Sequence, residues 1–86
     1  MIFDFHYDGG HGWLKVKVAD LVKLNIYDKI SSYSYINDDD VYLEEDADYA
    51  VFYKAYTKAH GDWPRVNEIH DGSHSVIRSY DNFGIK

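Results

Sequence analysis

The feature that most constrains the fold is an apolar stripe at helical spacing between residues 46 and 60. Its members are Val51, Phe52, Ala55, Tyr56 and Ala59. Residues three and four apart share one face of a helix, so the stripe predicts an amphipathic helix. Asp46 is predicted to cap its start, because a carboxylate there can accept hydrogen bonds from first-turn amides. Gly61 predicts its end. One such helix must bury its stripe against other elements.

Alternating apolar and polar residues predict β-strands, against which the helix can bury its apolar stripe. The pattern occurs in residues 1–7 and 14–18, and a turn joins residues 30–36 to 41–44 as a predicted hairpin. Residues 65–70 and 76–80 are predicted to be a closing pair of strands, although the second also fits the start of a helical turn.

A second, shorter helix is predicted at about residues 18–25, ending at Asn25, which tolerates the left-handed conformation. A chain of 86 residues supports one core and is too short for two. The predicted fold is therefore a single α+β domain over residues 1–86. It has a mainly antiparallel sheet, a main helix at about residues 46–60 and the shorter helix at about 18–25.

The charge balance favours basic partners. The formal net charge is −6, and the only arginines are Arg65 and Arg78. Binding to phosphate backbones needs clustered Lys and Arg, so we expect no direct contact with nucleic acid. The chain has no cysteine, no signal-peptide pattern and no stretch long enough to span a membrane. We expect a cytoplasmic protein that does not bind membranes.

An acidic run at residues 38–48 is the strongest functional signal, with seven acidic residues among eleven. A calcium loop of the EF-hand type needs glycine at its sixth position and glutamate at its twelfth. Counted from Asp38, those positions hold Leu43 and Tyr49, so the match fails. A turn and a helix start account for some of the acids. The others are either solvated surface charge or an acidic recognition face.

The histidines suggest little catalytic or metal chemistry. None of the five forms the close helical pair typical of zinc sites, and His70 and His74 flank the turn-forming sequence Asp71-Gly72-Ser73. A triad of Ser73, His74 and Asp71 is equally unpromising, because residues so close in sequence rarely converge. We expect no catalytic residues, no metal and no cofactor. A metal-dependent hydrolase built from the histidines with Asp8 or Asp71 remains an alternative.

Several segments together resemble a group of small uncharacterised proteins encoded by tailed bacteriophages and prophage regions. The segments are residues 11–14 (HGWL), 30–35 (ISSYSY), 42–46 (YLEED) with Asp48, and 77–80 (IRSY). The similarity covers most of the chain, in order. It implies a small phage accessory protein that acts inside a bacterial cell, and it transfers no catalytic or binding residue.

The sequence therefore predicts a non-enzymatic acidic binding protein that occupies a basic surface of a host protein. Its role would be anti-defence or host-modulating, with acids that in part imitate DNA. Tyrosines supply contact area and carboxylates set orientation and association rate. The alternative from another class is a structural or assembly protein that acts as a homo-oligomer. The predicted partner-binding residues are Asp38, Asp39, Asp40, Tyr42, Glu44 and Glu45.

Overall fold

The computed structural model describes residues 1–84, and this part of the chain forms one six-stranded sheet with two α-helices. The strands are β1 (Ile2–Tyr7), β2 (Gly12–Lys17), β3 (Tyr35–Asn37), β4 (Asp40–Glu44), β5 (Arg65–His70) and β6 (Asp81–Asn82). The helices are α1 (Val18–Lys23) and α2 (Asp48–His60), with short 3₁₀ turns at Tyr27–Lys29 and Val76–Ser79. The α+β prediction is confirmed. Residues 85–86 of the predicted domain lie outside the described part.

The sheet is mixed, with strand order β5-β1-β2-β4-β3-β6. Neighbouring strands are antiparallel except β1 and β5, which run parallel with Ile2 opposite Arg65. The predicted pairing of residues 65–70 with 76–80 is therefore wrong. Residues 76–79 form a 3₁₀ turn instead, because the Ser75 hydroxyl accepts a hydrogen bond from the Ile77 N–H at 3.2 Å and starts the turn.

Helix α2 covers one face of the sheet and closes the main core. Phe52 is fully buried, and its ring meets Phe3 edge-on with 5.1 Å between centroids. At the end of α2, Gly61 has a φ of 74° and donates its N–H to the Thr57 carbonyl, as predicted. Ala59 is exposed, so the buried stripe ends earlier than expected. The other buried core residues are Leu14, Val16, Leu21, Ile26, Ile30, Val41, Leu43 and Phe83.

The predicted cap of α2 is wrong. The helix begins at Asp48, its N-cap residue is Ala47, and Asp46 is exposed. The reason is a local turn after β4, in which Glu44 Oε1 accepts the Asp46 N–H at 2.7 Å and the Glu44 carbonyl accepts the Ala47 N–H at 3.3 Å. The turn delays the helix by two residues relative to the predicted start.

The predicted first hairpin strand is shortened, because residues 30–34 form a loop before β3. Asp48 is 3% exposed and holds this loop: it accepts hydrogen bonds from Ser31 N–H at 3.0 Å, from Ser31 Oγ at 2.7 Å and from Ser34 Oγ. The hairpin of β3 and β4 itself is confirmed, with Asp38 at its tip in the left-handed region at φ 54°. Asn25 ends α1 at φ 58°, as predicted.

A smaller cluster lies on the opposite face of the sheet. Its buried members are Trp13 from β2, Tyr42 from β4 and Ile77 from the second 3₁₀ turn, with Tyr35 and Tyr80 packed beside them. The segment after β5 therefore returns across this face and covers it. Within residues 1–84, neither helix has the length and apolar character needed to cross a bilayer.

Candidate functional site

The predicted partner-binding residues do not form one patch. Asp38 and Asp39 are exposed at the tip of the β3–β4 hairpin, whereas Glu44 and Glu45 lie at the far end of β4. A strand rises about 3.3 Å per residue, which separates Asp40 from Glu44 by about 13 Å. The acidic run is thus divided between two ends of one strand.

Asp40 is compensated inside the fold. Its carboxylate is half-buried, with Oδ1 2.7 Å from Lys17 Nζ and Oδ2 3.9 Å from Lys15 Nζ. The hydrogen bond to Asp40 raises the pKa of Lys17, because the carboxylate favours the charged ammonium. Asp40 thus joins the start of β4 to the end of β2, and less of its charge is offered to a partner.

Tyr42 lies inside the smaller cluster. It is 6% exposed, and its ring lies 5.3 Å from the Tyr80 ring and 6.1 Å from the His6 ring. Burial, followed by the neighbouring Tyr80, raises the pKa of Tyr42 to about 12. In this conformation Tyr42 packs the sheet face and does not offer a partner its ring.

Glu44 reaches a cleft of about 380 Å³ on this same face, which we call the aromatic–acidic cleft. Its aromatic lining comes from the β2 residue Trp13 and from Tyr33 and Tyr35 before and within β3. Ligand-binding pockets in proteins span ~300–1,000 Å³, so the volume of this cleft lies at the small end of that range. The complete lining is His11, Trp13, Tyr33, Tyr35, Glu44, Asp46, Ala47 and Arg78.

One wall of the cleft is an ion pair between Asp8 and Arg78. Arg78 Nε and Nη2 donate to Asp8 Oδ2 at 2.7 Å and Oδ1 at 2.8 Å, and the guanidinium carbon lies 5.4 Å from the centroid of the Trp13 ring. The Asp8 side chain is fully buried. It also accepts backbone N–H groups of Gly10 at 2.9 Å, His11 at 3.0 Å and Ser75 at 2.8 Å.

These hydrogen-bond donors keep the Asp8 carboxyl group in its charged form. The Arg78 hydrogen bond above all, then the Ser75 amide, holds the pKa of Asp8 far below its usual range. The pair is therefore Asp8 carboxylate with Arg78 guanidinium, and its two charges cancel. Glu44 and Asp46 are the acids in the remaining lining, so the cleft favours a cationic guest.

Glu44 is oriented within the cleft by its backbone surroundings. Its Oε1 accepts the Asp46 N–H at 2.7 Å, and its N–H donates to Ser34 Oγ at 3.0 Å. Its Oε2 lies 3.8 Å from His11 Nδ1, which is beyond hydrogen-bonding distance. One oxygen therefore fixes the side chain, while the other is available to a donor from outside.

The tyrosine side of the cleft combines one packed ring with one solvated ring. Tyr35 meets Trp13 edge-on with 6.3 Å between centroids, whereas Tyr33 is 72% exposed. The loop that carries Tyr33 is tied to α2 through Ser31, Ser34 and Asp48. The fold thus holds the backbone around an exposed aromatic ring.

Sequence reasoning missed most of this cleft. Glu44 was predicted, but Trp13, Tyr33 and Arg78 were not assigned a role. The alternating tyrosines before β3 were a usable signal, since alternate residues of a strand share a face. For Arg78 the sequence offers no local signal, because its partner Asp8 lies 70 residues away.

Asp8 and Asp71, the carboxylates of the alternative metal-dependent hydrolase, are both hydrogen-bonded within the fold. Asp71, one of the alternative metal ligands, lies 3.1 Å from His6 Nδ1 and accepts Ser75 Oγ at 2.7 Å. Over residues 1–84, no three His, Cys, Asp or Glu side chains converge as a metal site would require. No protein-family model, curated protein or solved structure matches the chain. The function proposed below therefore rests on the geometry and charge of the cleft.

Proposed function

We propose that the protein is a non-enzymatic acidic binding protein that occupies a basic surface of another protein. The observation that carries the proposal is the aromatic–acidic cleft, where exposed Tyr33 stands beside the carboxylates of Glu44 and Asp46. Aromatic residues dominate binding energy at protein interfaces, and complementary charge sets orientation and association rate. The net charge of −6 adds long-range attraction for basic partners.

The acids at the hairpin tip have a different role in this proposal. Asp38 and Asp39 are exposed and lie about 13 Å or more from the cleft end of β4. At that distance they steer a basic partner through solvent rather than contact the group bound in the cleft. Contact is assigned to Glu44 and Asp46, with Glu45 exposed beside them.

The biological setting is also part of the proposal. The resemblance to small phage and prophage proteins, together with the acidic balance, supports an accessory protein in the host bacterial cytoplasm. There it would block a host protein, in an anti-defence or host-modulating role. The target would be a basic protein surface of the kind that otherwise binds DNA, and the protein itself would not bind nucleic acid.

Affinity capture with matched variants tests this function. Wild-type protein is immobilised beside a variant in which four exposed acids are neutralised, and captured proteins are purified and titrated against both at low and high salt. We expect binding that weakens with salt and is much weaker for the variant. Salt-independent binding, equal for both proteins, would contradict the proposal. The four substitutions are Asp38→Asn, Asp39→Asn, Glu45→Gln and Asp46→Asn.

A homo-oligomer is the second candidate, and one observation favours it. Strand β5 lies at an edge of the sheet, and Trp63, just before it, is 63% exposed. Edge strands can pair with a second chain. Light scattering over a range of concentrations separates the two functions: a mass that rises with concentration supports assembly, and a constant monomer mass removes it.

A further inference from the structure

We infer that the aromatic–acidic cleft binds the side chain of one arginine residue. The inference deepens the proposed function by naming the group on the partner that the cleft recognises. It can be tested separately, because a free arginine derivative should bind in the cleft without any partner protein. Three features of the lining carry it: its charge, its aromatic surfaces and its fixed carboxylate.

Charge selects a cation. Arg78 is a cationic residue of the lining, but its guanidinium already donates two hydrogen bonds to the buried Asp8 carboxylate. That pair contributes no net charge to the cleft, whereas Glu44 and Asp46 each contribute a negative one. His11, also in the lining, has its Nδ1 3.8 Å from Glu44 Oε2.

The aromatic surfaces favour a flat cation. A guanidinium is planar, stacks on aromatic faces and is more weakly hydrated than an ammonium, so it loses less on entering a half-enclosed site. The chain already uses this arrangement once, with Arg78 5.4 Å from the centroid of Trp13. Tyr33 and Tyr35 extend the aromatic lining beyond that contact.

The fixed carboxylate favours arginine over lysine. Glu44 Oε1 accepts the Asp46 N–H at 2.7 Å, which holds the side chain in place, while Oε2 has no hydrogen-bond donor among the described residues. A guanidinium has several donors in one plane and can bond Oε2 while other N–H groups reach the Asp46 carboxylate. An ammonium is a point charge and gains less from such an arrangement.

Titration with small probes tests the inference. The chain has two tryptophans, so Trp63→Phe leaves Trp13, in the cleft, as the sole tryptophan, whose emission can be excited selectively over the tyrosines. The probes are N-acetylarginine amide, N-acetyllysine amide and N-acetylcitrulline amide, the last being neutral but nearly isosteric with arginine. We expect arginine to saturate the Trp13 signal with a Kd on the order of 1 mM. Lysine should bind several-fold more weakly, and citrulline about tenfold more weakly.

Matched variants locate the binding. Glu44→Gln keeps the Oε1 acceptor and the side-chain size but removes the charge, and should weaken arginine binding about tenfold. Tyr33→Leu keeps apolar area without the aromatic face and should weaken it several-fold. Asp46→Asn, at an exposed position, supplies a second charge removal on the rim. Asp39→Asn removes the same charge at the hairpin tip and should change the Kd by less than about twofold.

The outcomes separate this inference from the proposed function. Equal binding of arginine and citrulline, or equal losses in Glu44→Gln and Asp39→Asn, would overturn the arginine site. Salt-sensitive capture of a basic protein would still support the proposed function in that case. The converse result is arginine binding that depends on Glu44 while no basic protein is captured. It would support the arginine site and contradict the proposed function.

Discussion

Asp8 and Arg78 are 70 residues apart in the sequence and are joined by a hydrogen bond of 2.7 Å between Oδ2 and Nε. The bond connects the loop after β1 to the 3₁₀ turn that crosses the sheet. Because the turn carries Ile77 into the smaller cluster, the ion pair determines how that face is covered. It also forms a wall of the cleft, so fold and candidate site share this contact.

Asp8→Asn should lower the melting temperature by more than about 10 °C, because it leaves the Arg78 guanidinium without its counter-charge. The new side-chain NH₂ group would also face N–H donors that now bond the Asp8 carboxylate. The Asp8 pKa lies below its ordinary 3.8, so its stabilisation is present above that pH and is lost as pH falls further. Urea unfolding at several pH values should show the gap between wild type and variant narrowing below about pH 4. Asp39→Asn is the exposed control, and a gap that is constant with pH would contradict the ion pair.

Ser34→Ala should lower the free energy of unfolding by about 1–3 kcal/mol. The hydroxyl is fully buried, donates to Asp48 and accepts the Glu44 N–H at 3.0 Å, so its removal leaves two polar groups without that partner. Chemical denaturation measures the change. Ser32→Ala, at an exposed position in the same loop, should stay within about 0.5 kcal/mol of wild type. Similar effects of the two changes would argue against the anchoring role of Asp48.

Tyr42→Phe should reduce the loss of stability at alkaline pH. The pKa of Tyr42 is raised to about 12 in the folded protein, so its contribution is complete below about pH 10 and is lost as pH rises toward 12. The measurement is urea unfolding between pH 8 and pH 11.5, wild type against variant. Tyr33→Phe is the control, because Tyr33 is exposed. Identical alkaline losses in wild type and Tyr42→Phe would show that Tyr42 titrates as a solvated phenol.

Gly12→Ala should destabilise the fold by about 1–3 kcal/mol through overpacking. A Cβ at Gly12 would lie 2.3 Å from Cζ and 2.8 Å from Cε2 of Phe5, an aromatic ring packed against the main core. Gly9→Ala, in the loop that precedes β2, is the control, since its Cβ would meet its nearest neighbour at 3.6 Å. Thermal melts of the two variants should differ clearly, and equal melting temperatures would show that the Phe5 ring moves aside at little cost.

Local periodicity explains which elements could be predicted. Strands β1, β2 and β4 and helix α2 carry their own apolar patterns, and Gly61 and Asn25 mark helix ends through their tolerance of positive φ. Pairing partners are different. The alternation in β5 fits β1 as well as any other strand, so the parallel pair could not be deduced from it.

The candidate site was only partly predictable for a related reason. The acidic run looks continuous in sequence, but alternation along β4 turns Val41 and Leu43 into the main core, and Tyr42 into the smaller cluster. Glu44 meets Tyr33 and Arg78 only once the hairpin and the 3₁₀ turn have both folded over the sheet. Local composition does not show which distant segments come together in the fold, so this part of the cleft could not be predicted from the sequence.

The ion pair between the first loop and the second 3₁₀ turn also affects how the protein is made. During translation, Asp8 is synthesised early and must wait for Arg78, the donor that neutralises it, until nearly all of the described chain exists. Strand β1 likewise waits for its parallel neighbour β5. A nascent chain arrested before residue 77 would therefore leave the rings of Trp13 and Tyr42 without the cover of Ile77, so that aromatic surface would stay open to water.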